Sequence, residues 1–187
     1  MTNLNLPNRI TIFRIFIVPL IIAFLIKPSP FFCFIAAILF GIAAATDWLD
    51  GHIARTTGQV TRLGKLLDPI ADKILIVAAL IPLVGLARVP AWLATALIAR
   101  DLAVSGVRSM AAAEGVVIPA GKMGKYKTGF EIAAIEFLLL NWDLEFVEFQ
   151  TAGTICLLIA MTLSIISAVD YIFIYWRAKK SSDVETG

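Results

Sequence analysis

One histidine, two cysteines and only 16% charged residues make a small stock of polar chemistry for a chain of 187 residues. Soluble domains carry about 25% charged residues, so an ordinary soluble globule is a poor fit, and the scarcity of charge also excludes intrinsic disorder. Cys33 and Cys156 each sit inside an apolar run, which excludes a disulfide scaffold and gives no signal of redox compartment. Zinc-ligand spacings, glycine-rich nucleotide loops and internal repeats are absent. The amino terminus lacks the basic cluster and Ala-x-Ala site of a cleaved leader, so the first apolar run is expected to be retained.

What the chain has in abundance is hydrocarbon. Apolar residues make up 59% of it, at a mean hydropathy of +0.88. That supply of about 110 residues covers five or six spans at roughly 20 residues each. Runs of apolar sequence, extended through adjoining polar turns, predict an all-α integral membrane protein. It forms a single domain over 1–187, with approximate spans 10–26, 31–54, 63–86, 91–113, 125–140 and 151–176. Residues 181–187 read as a polar tail, expected to fray.

The net charge of +2 means little as a sum, but its distribution along the chain is informative. The connections at 27–30, 87–90 and 141–150 contain only Lys27 and Arg88 as cations. The other side takes Arg9, Arg55, Arg62, Lys65, Lys73, Arg108, Lys122, Lys125, Lys127, Arg177, Lys179 and Lys180. By the positive-inside rule both termini are cytosolic. No nucleic-acid partner is expected.

Four of the fourteen acidic residues, Asp47, Asp50, Asp68 and Asp72, fall within 26 residues. Helical spacing puts Asp47 with Asp50 on one face and Asp68 with Asp72 on another. If the second and third helices are antiparallel neighbours, all four carboxylates converge at their cytosolic ends, and they need a counter-charge. Oxygen-only donors favour a hard cation, Mg²⁺ or Mn²⁺, over Zn²⁺. Two such ions would neutralise the four aspartates and leave positions open for phosphate oxygens. The plainer reading, in which these aspartates cap helix ends or pair with Arg55, Arg62 or Lys65, suits one pair better than four acids at a membrane surface. Gly51, Ala54 and Gly64 allow close approach of a ligand or a second helix. Arg55 offers the planar fork suited to phosphate. Pro69 would either start the inner part of the third helix or kink it.

The pattern Asp-x2-Asp-Gly-x2-Ala-Arg-x8-Gly-x3-Asp-x3-Asp, filled by Asp47, Asp50, Gly51, Ala54, Arg55, Gly64, Asp68 and Asp72, resembles the signature of the CDP-alcohol phosphatidyltransferases. The resemblance implies a six-helix membrane enzyme, usually a homodimer, that displaces CMP from a CDP-linked lipid with an alcohol. It implies that the four aspartates hold two divalent metals, Mg²⁺ first and Mn²⁺ as the other fit, and that Asp72 is the general base. Gly51 and Arg55 would contact the nucleotide diphosphate, and Asn8, Thr11 and Thr61 would line the cytidine and diphosphate side. Each of the last three could instead cap a helix.

The acceptor is read from the remaining cations. Arg100 lies inside the fourth apolar run with Arg108 about 80° around the same helix. Lys122, Lys125 and Lys127 precede the fifth, where snorkelling to headgroups is the competing explanation. Arg55, Arg100, Arg108 and one or two lysines would balance a diphosphate and a phosphorylated acceptor, which leaves glycerol phosphate and inositol phosphate. The segments Leu6 to Arg14, Ile98 to Asp101 with Val107 and Arg108, and Gly121 to Thr128 resemble the glycerol-phosphate-using bacterial branch of the family. That likeness implies transfer from CDP-diacylglycerol to sn-glycerol 3-phosphate, giving phosphatidylglycerol phosphate, in the bacterial cytoplasmic (inner) membrane. Arg100, Arg108, Lys125 and Lys127 become the candidate phosphate ligands. Arg14, one turn inside the first span, is expected to face the site cavity, and Lys122 belongs with the uncertain cations.

His52, Glu131, Glu136 and Asp170 receive no role. The alternative of another class is an ion-coupled transporter, since intramembrane carboxylates also mark ion paths. Such a protein would place its acids near the midplane, commonly in a repeated topology, whereas here they gather toward one surface.

Overall fold

A computed structural model describes residues 6–57, 62–113, 122–141, 143–144 and 147–185, with side chains over 12–46, 70–112, 123–141, 148–173 and Trp176. Six helices fill it: α1 (Leu6–Ile26), α2 (Pro30–Thr57), α3 (Arg62–Gly85), α4 (Ala91–Ala113), α5 (Lys122–Leu140) and α6 (Phe149–Glu185). A two-stranded antiparallel ladder, β1 (Asp143–Leu144) with β2 (Val147–Glu148), occupies the last connection, where the sequence predicts only an acidic loop.

Local chemistry accounts for the helix ends. Ser29 is the N-cap of α2, its Oγ accepting from Phe32 N–H at 3.2 Å, with Pro30 in the first position, where a missing N–H costs nothing. At the far end of α3, Arg88 N–H donates to Leu83 O at 2.9 Å and Ala87 N–H to Val84 O at 3.0 Å. This paired closure places Ala87 in the left-handed region, at φ 56°. Asn141, after α5, is also left-handed at φ 43°, its N–H donating to Phe137 O at 2.9 Å. Pro69 falls inside α3 rather than at its start. Helix α6 continues to Glu185, through most of the stretch expected to fray, carried on from Arg, Ala and Lys at 177–180, which are good helix formers.

Within α6, Phe149–Phe173 is long and apolar enough to cross a membrane. Ile12–Ile26 and Pro30–Thr46 are shorter apolar segments. Large apolar side chains such as Phe16, Ile26, Phe31, Trp92 and Phe173 face outward. The core uses small residues where helices touch, including Ala36, Ala37, Ala43, Ala78, Ala79, Ala134 and Ala160. Helices α5 and α6 make the most extensive pair, while α1 packs on α2 and α3 and α4 packs on α6. A Cβ added at Gly153 of α6 would stand 2.6 Å from Leu138 Cγ and 3.1 Å from Ala134 O of α5.

Three connections meet at one pole around Arg88. Its Nη1 donates to Leu138 O and Leu139 O at 3.0 and 3.1 Å, and its Nη2 lies 3.7 Å from Cys33 Sγ. Gln150 Nε2 donates to Arg88 O at 2.8 Å. The terminal carbonyls of α5 thus receive a cation where the helix dipole is negative.

Candidate active site

Toward the opposite pole, the backbone carries Asp47, Asp50, Gly51, Ala54 and Arg55 along the last part of α2, and Gly64, Asp68 and Asp72 along the first part of α3. Both segments are continuous helix, so the three- and four-residue spacings do place each aspartate pair on one helical face. Among these signature residues only the side chain of Asp72 is described, and it is half-buried. The side chains of Asn8, Thr11 and Lys122, and Thr61 altogether, also lie outside the described residues. Arg14, by contrast, is fully buried in the middle of α1.

The cations assigned to the acceptor separate in the structure. Arg100 and Lys127 come together through Asp101, whose Oδ1 takes Arg100 Nη1 at 3.1 Å and whose Oδ2 takes Lys127 Nζ at 2.5 Å. Lys127 Nζ also lies 2.5 Å from Glu131 Oε2, one turn along α5. Lys73, beside Asp72, donates to Asp101 O at 3.1 Å and to Ser105 Oγ. The second arginine joins through α6: Arg100 Nη2 donates to Ser167 Oγ, and Arg108 Nη2 donates to Tyr171 Oη at 2.7 Å. These matched pairs show that α4 and α6 run in the same direction. Lys125 is exposed and is not drawn into this network.

Sequence reasoning missed Asp101 as the centre of the network, and with it Glu131, Ser167 and Tyr171. A signal existed for most of them. Lys127 and Glu131 are four apart on one helix, and Ser164, Ser167 and Tyr171 share a helical face inside an otherwise apolar span. Glu136 packs against α2, its Oε1 2.7 Å from where a Cβ of Gly41 would stand. Asp170 is exposed.

Two hollows adjoin the network. A groove of about 440 Å³ runs between α1, α3 and α4, lined by apolar side chains including Val18, Ile22, Ile74 and Leu102, with Lys73 as its polar member. A cavity of about 20 Å³ touches Lys73, Asp101 and Glu131.

Residues 4–176 match the family described as CDP-alcohol phosphatidyltransferase, and the chain belongs to that family. Its relatives include three proteins named CDP-diacylglycerol–glycerol-3-phosphate 3-phosphatidyltransferase. The one from Bacillus subtilis (strain 168) is 40% identical, covering 96% of this chain and 99% of the relative. The Rickettsia bellii (strain RML369-C) protein is 38% identical over 89% and 93%. That of Pseudomonas fluorescens is 35% identical over 95% and 93%.

Proposed function

We propose that the chain transfers the phosphatidyl group of CDP-diacylglycerol to sn-glycerol 3-phosphate, releasing CMP and forming phosphatidylglycerol phosphate. The observation that carries this reading is near full-length relatedness to transferases bearing that name, together with an unbroken eight-position signature. The acceptor hydroxyl oxygen bonds to the lipid-side phosphorus, its proton passes to the Asp72 carboxylate, and the bridging bond to CMP breaks with its electron pair leaving on CMP. Direct attack is the expectation, because the sequence offers no serine, cysteine or histidine as an obvious nucleophile, and inversion at phosphorus is the expected outcome.

All-oxygen donors in two helical pairs fit two hard divalent ions, Mg²⁺ or Mn²⁺, held by Asp47, Asp50, Asp68 and Asp72. When bound, they offset the charge gathering on the leaving CMP. Gly51, Ala54, Arg55 and Gly64, with Asn8, Thr11 and Thr61, hold the nucleotide and diphosphate. Arg100, Arg108, Lys125 and Lys127 receive the acceptor phosphate, and the grouping of Arg100 and Lys127 around Asp101 supports that assignment for those two. The groove suits an acyl chain of the donor, since its walls are apolar and Lys73 is its polar member.

Six spans with both termini cytosolic place this chemistry at the cytosolic ends of α2 and α3 in the bacterial inner membrane, as a homodimer. Gathering of the three cation-poor connections around Arg88 supports the alternation of helices that this topology needs. The deciding experiment is CMP release by the purified protein in detergent with CDP-diacylglycerol and Mg²⁺, comparing sn-glycerol 3-phosphate, inositol phosphate, serine and no acceptor. Release with glycerol phosphate alone is expected. Selective use of inositol phosphate would keep the family and overturn the acceptor. Asp72→Asn is expected to abolish release while CDP-lipid still binds, and undiminished turnover would remove Asp72 as the base.

A further inference from the structure

We propose that Glu131 is a positioning residue for acceptor recognition, acting through Lys127. The inference rests on the reading of Lys127 and Arg100 as acceptor-phosphate ligands. Glu131 is 2% exposed in the middle of a helix bundle, where a carboxylate is costly unless paired. Its Oε2 holds Lys127 Nζ at 2.5 Å, and Asp101 Oδ2 holds the same nitrogen at the same distance from α4. Asp101 Oδ1 meanwhile holds Arg100. One carboxylate therefore fixes the separation of the two cations, and the other fixes where the lysine points.

A residue serving only to join helices would sit across the seam. Asp101 already does that, whereas Glu131 and Lys127 share α5, so their contact joins no two helices by itself. What it restrains is the long, freely rotating lysine stem, which a single contact leaves loose. Among the described residues the Oε1 of Glu131 has no hydrogen-bond partner, and the carboxylate borders the cavity it shares with Lys73 and Asp101. Lys73 reaches Asp101 from the residue next to Asp72. The network therefore ties the acceptor cations to the helix that carries the proposed base.

The test is steady-state CMP release in detergent with Mg²⁺ for the wild type, Glu131→Gln, Glu131→Asp, Lys127→Gln and the Glu131→Gln/Lys127→Gln double variant. Glu131→Gln should raise the KM for sn-glycerol 3-phosphate about tenfold, the scale of one charge-assisted hydrogen bond, with the KM for CDP-diacylglycerol unchanged. Glu131→Asp should recover part of that loss. In the Lys127→Gln background, adding Glu131→Gln should change the acceptor KM by less than about twofold, because the contact it removes is already gone. The double variant removes one charge of each sign, so it and Glu131→Asp carry the test if the single glutamine variant does not fold.

An unchanged acceptor KM with a lowered kcat or melting temperature would make Glu131 structural and overturn the proposal, as would additive effects in the double variant. Turnover by the wild type alongside either result leaves the proposed reaction standing. A wild type that releases CMP with no acceptor tested would overturn both.

Discussion

Arg108 and Tyr171 meet twice, through the phenol oxygen at 2.7 Å and with the guanidinium carbon 5.1 Å from the ring centroid. Tyr171→Phe removes the hydrogen bond and keeps the ring. If Arg108 binds acceptor phosphate, this change should raise the acceptor KM by about three- to tenfold and leave the donor KM alone, as kinetics with each substrate varied in turn would show. A donor effect of equal size would place Tyr171 in the general packing of α6 instead. Individual roles were unevenly legible in the sequence. The eight signature residues stand out in the sequence because their spacing is itself chemical, with carboxylates one helical turn apart, and the roles given to them are part of the proposal. Asp101, Ser167 and Tyr171 could not be assigned, because their meaning depends on which helices become neighbours, and local spacing says nothing of the fact that α4 lies along α6.

At the scale of the element, two backbone positions give opposite stability predictions. Ala87 closes α3 in the left-handed region, which costs an L-residue about 1–2 kcal/mol that glycine avoids, so Ala87→Gly should stabilise by about 1 kcal/mol. A higher melting temperature in detergent would show it. Gly153→Ala drives a methyl into Leu138 and toward the backbone oxygen of Ala134, and should destabilise by about 1–3 kcal/mol. An unchanged melt would mean that α5 and α6 separate easily. Helix number and kind were legible from runs of apolar residues, and the ends less so. The extension of the fifth helix through its polar first turns is expected from the sequence, but the stretch beyond Trp176 is helical although polar, because helix formation there follows propensity and continuity with the span rather than hydrophobicity. The β1–β2 ladder gave no sequence signal, since four residues in two short strands carry no pattern of alternation.

For the whole molecule, the proposed topology and the proposed metals make separate predictions. In a background with Cys33 and Cys156 replaced, a cysteine at 184 should react with an impermeant thiol reagent only from the cytosolic face, and one at Lys27 only from the other; reversed labelling would invert the molecule. Stripping divalent ions with a chelator should abolish CMP release without loss of helical circular dichroism, and added Mg²⁺ or Mn²⁺ should restore it. Persistent activity after chelation would remove metals from the chemistry. The pole around Arg88 has a further consequence for how the molecule opens. Its one side chain reaches the ends of α2 and α5, and its backbone oxygen holds the start of α6, so none of these junctions can fray without releasing the others. In hydrogen exchange, the amides of Arg88 and Asn141 should therefore lose protection as a single unit, at one common free energy, whereas independently fraying turns would each report their own.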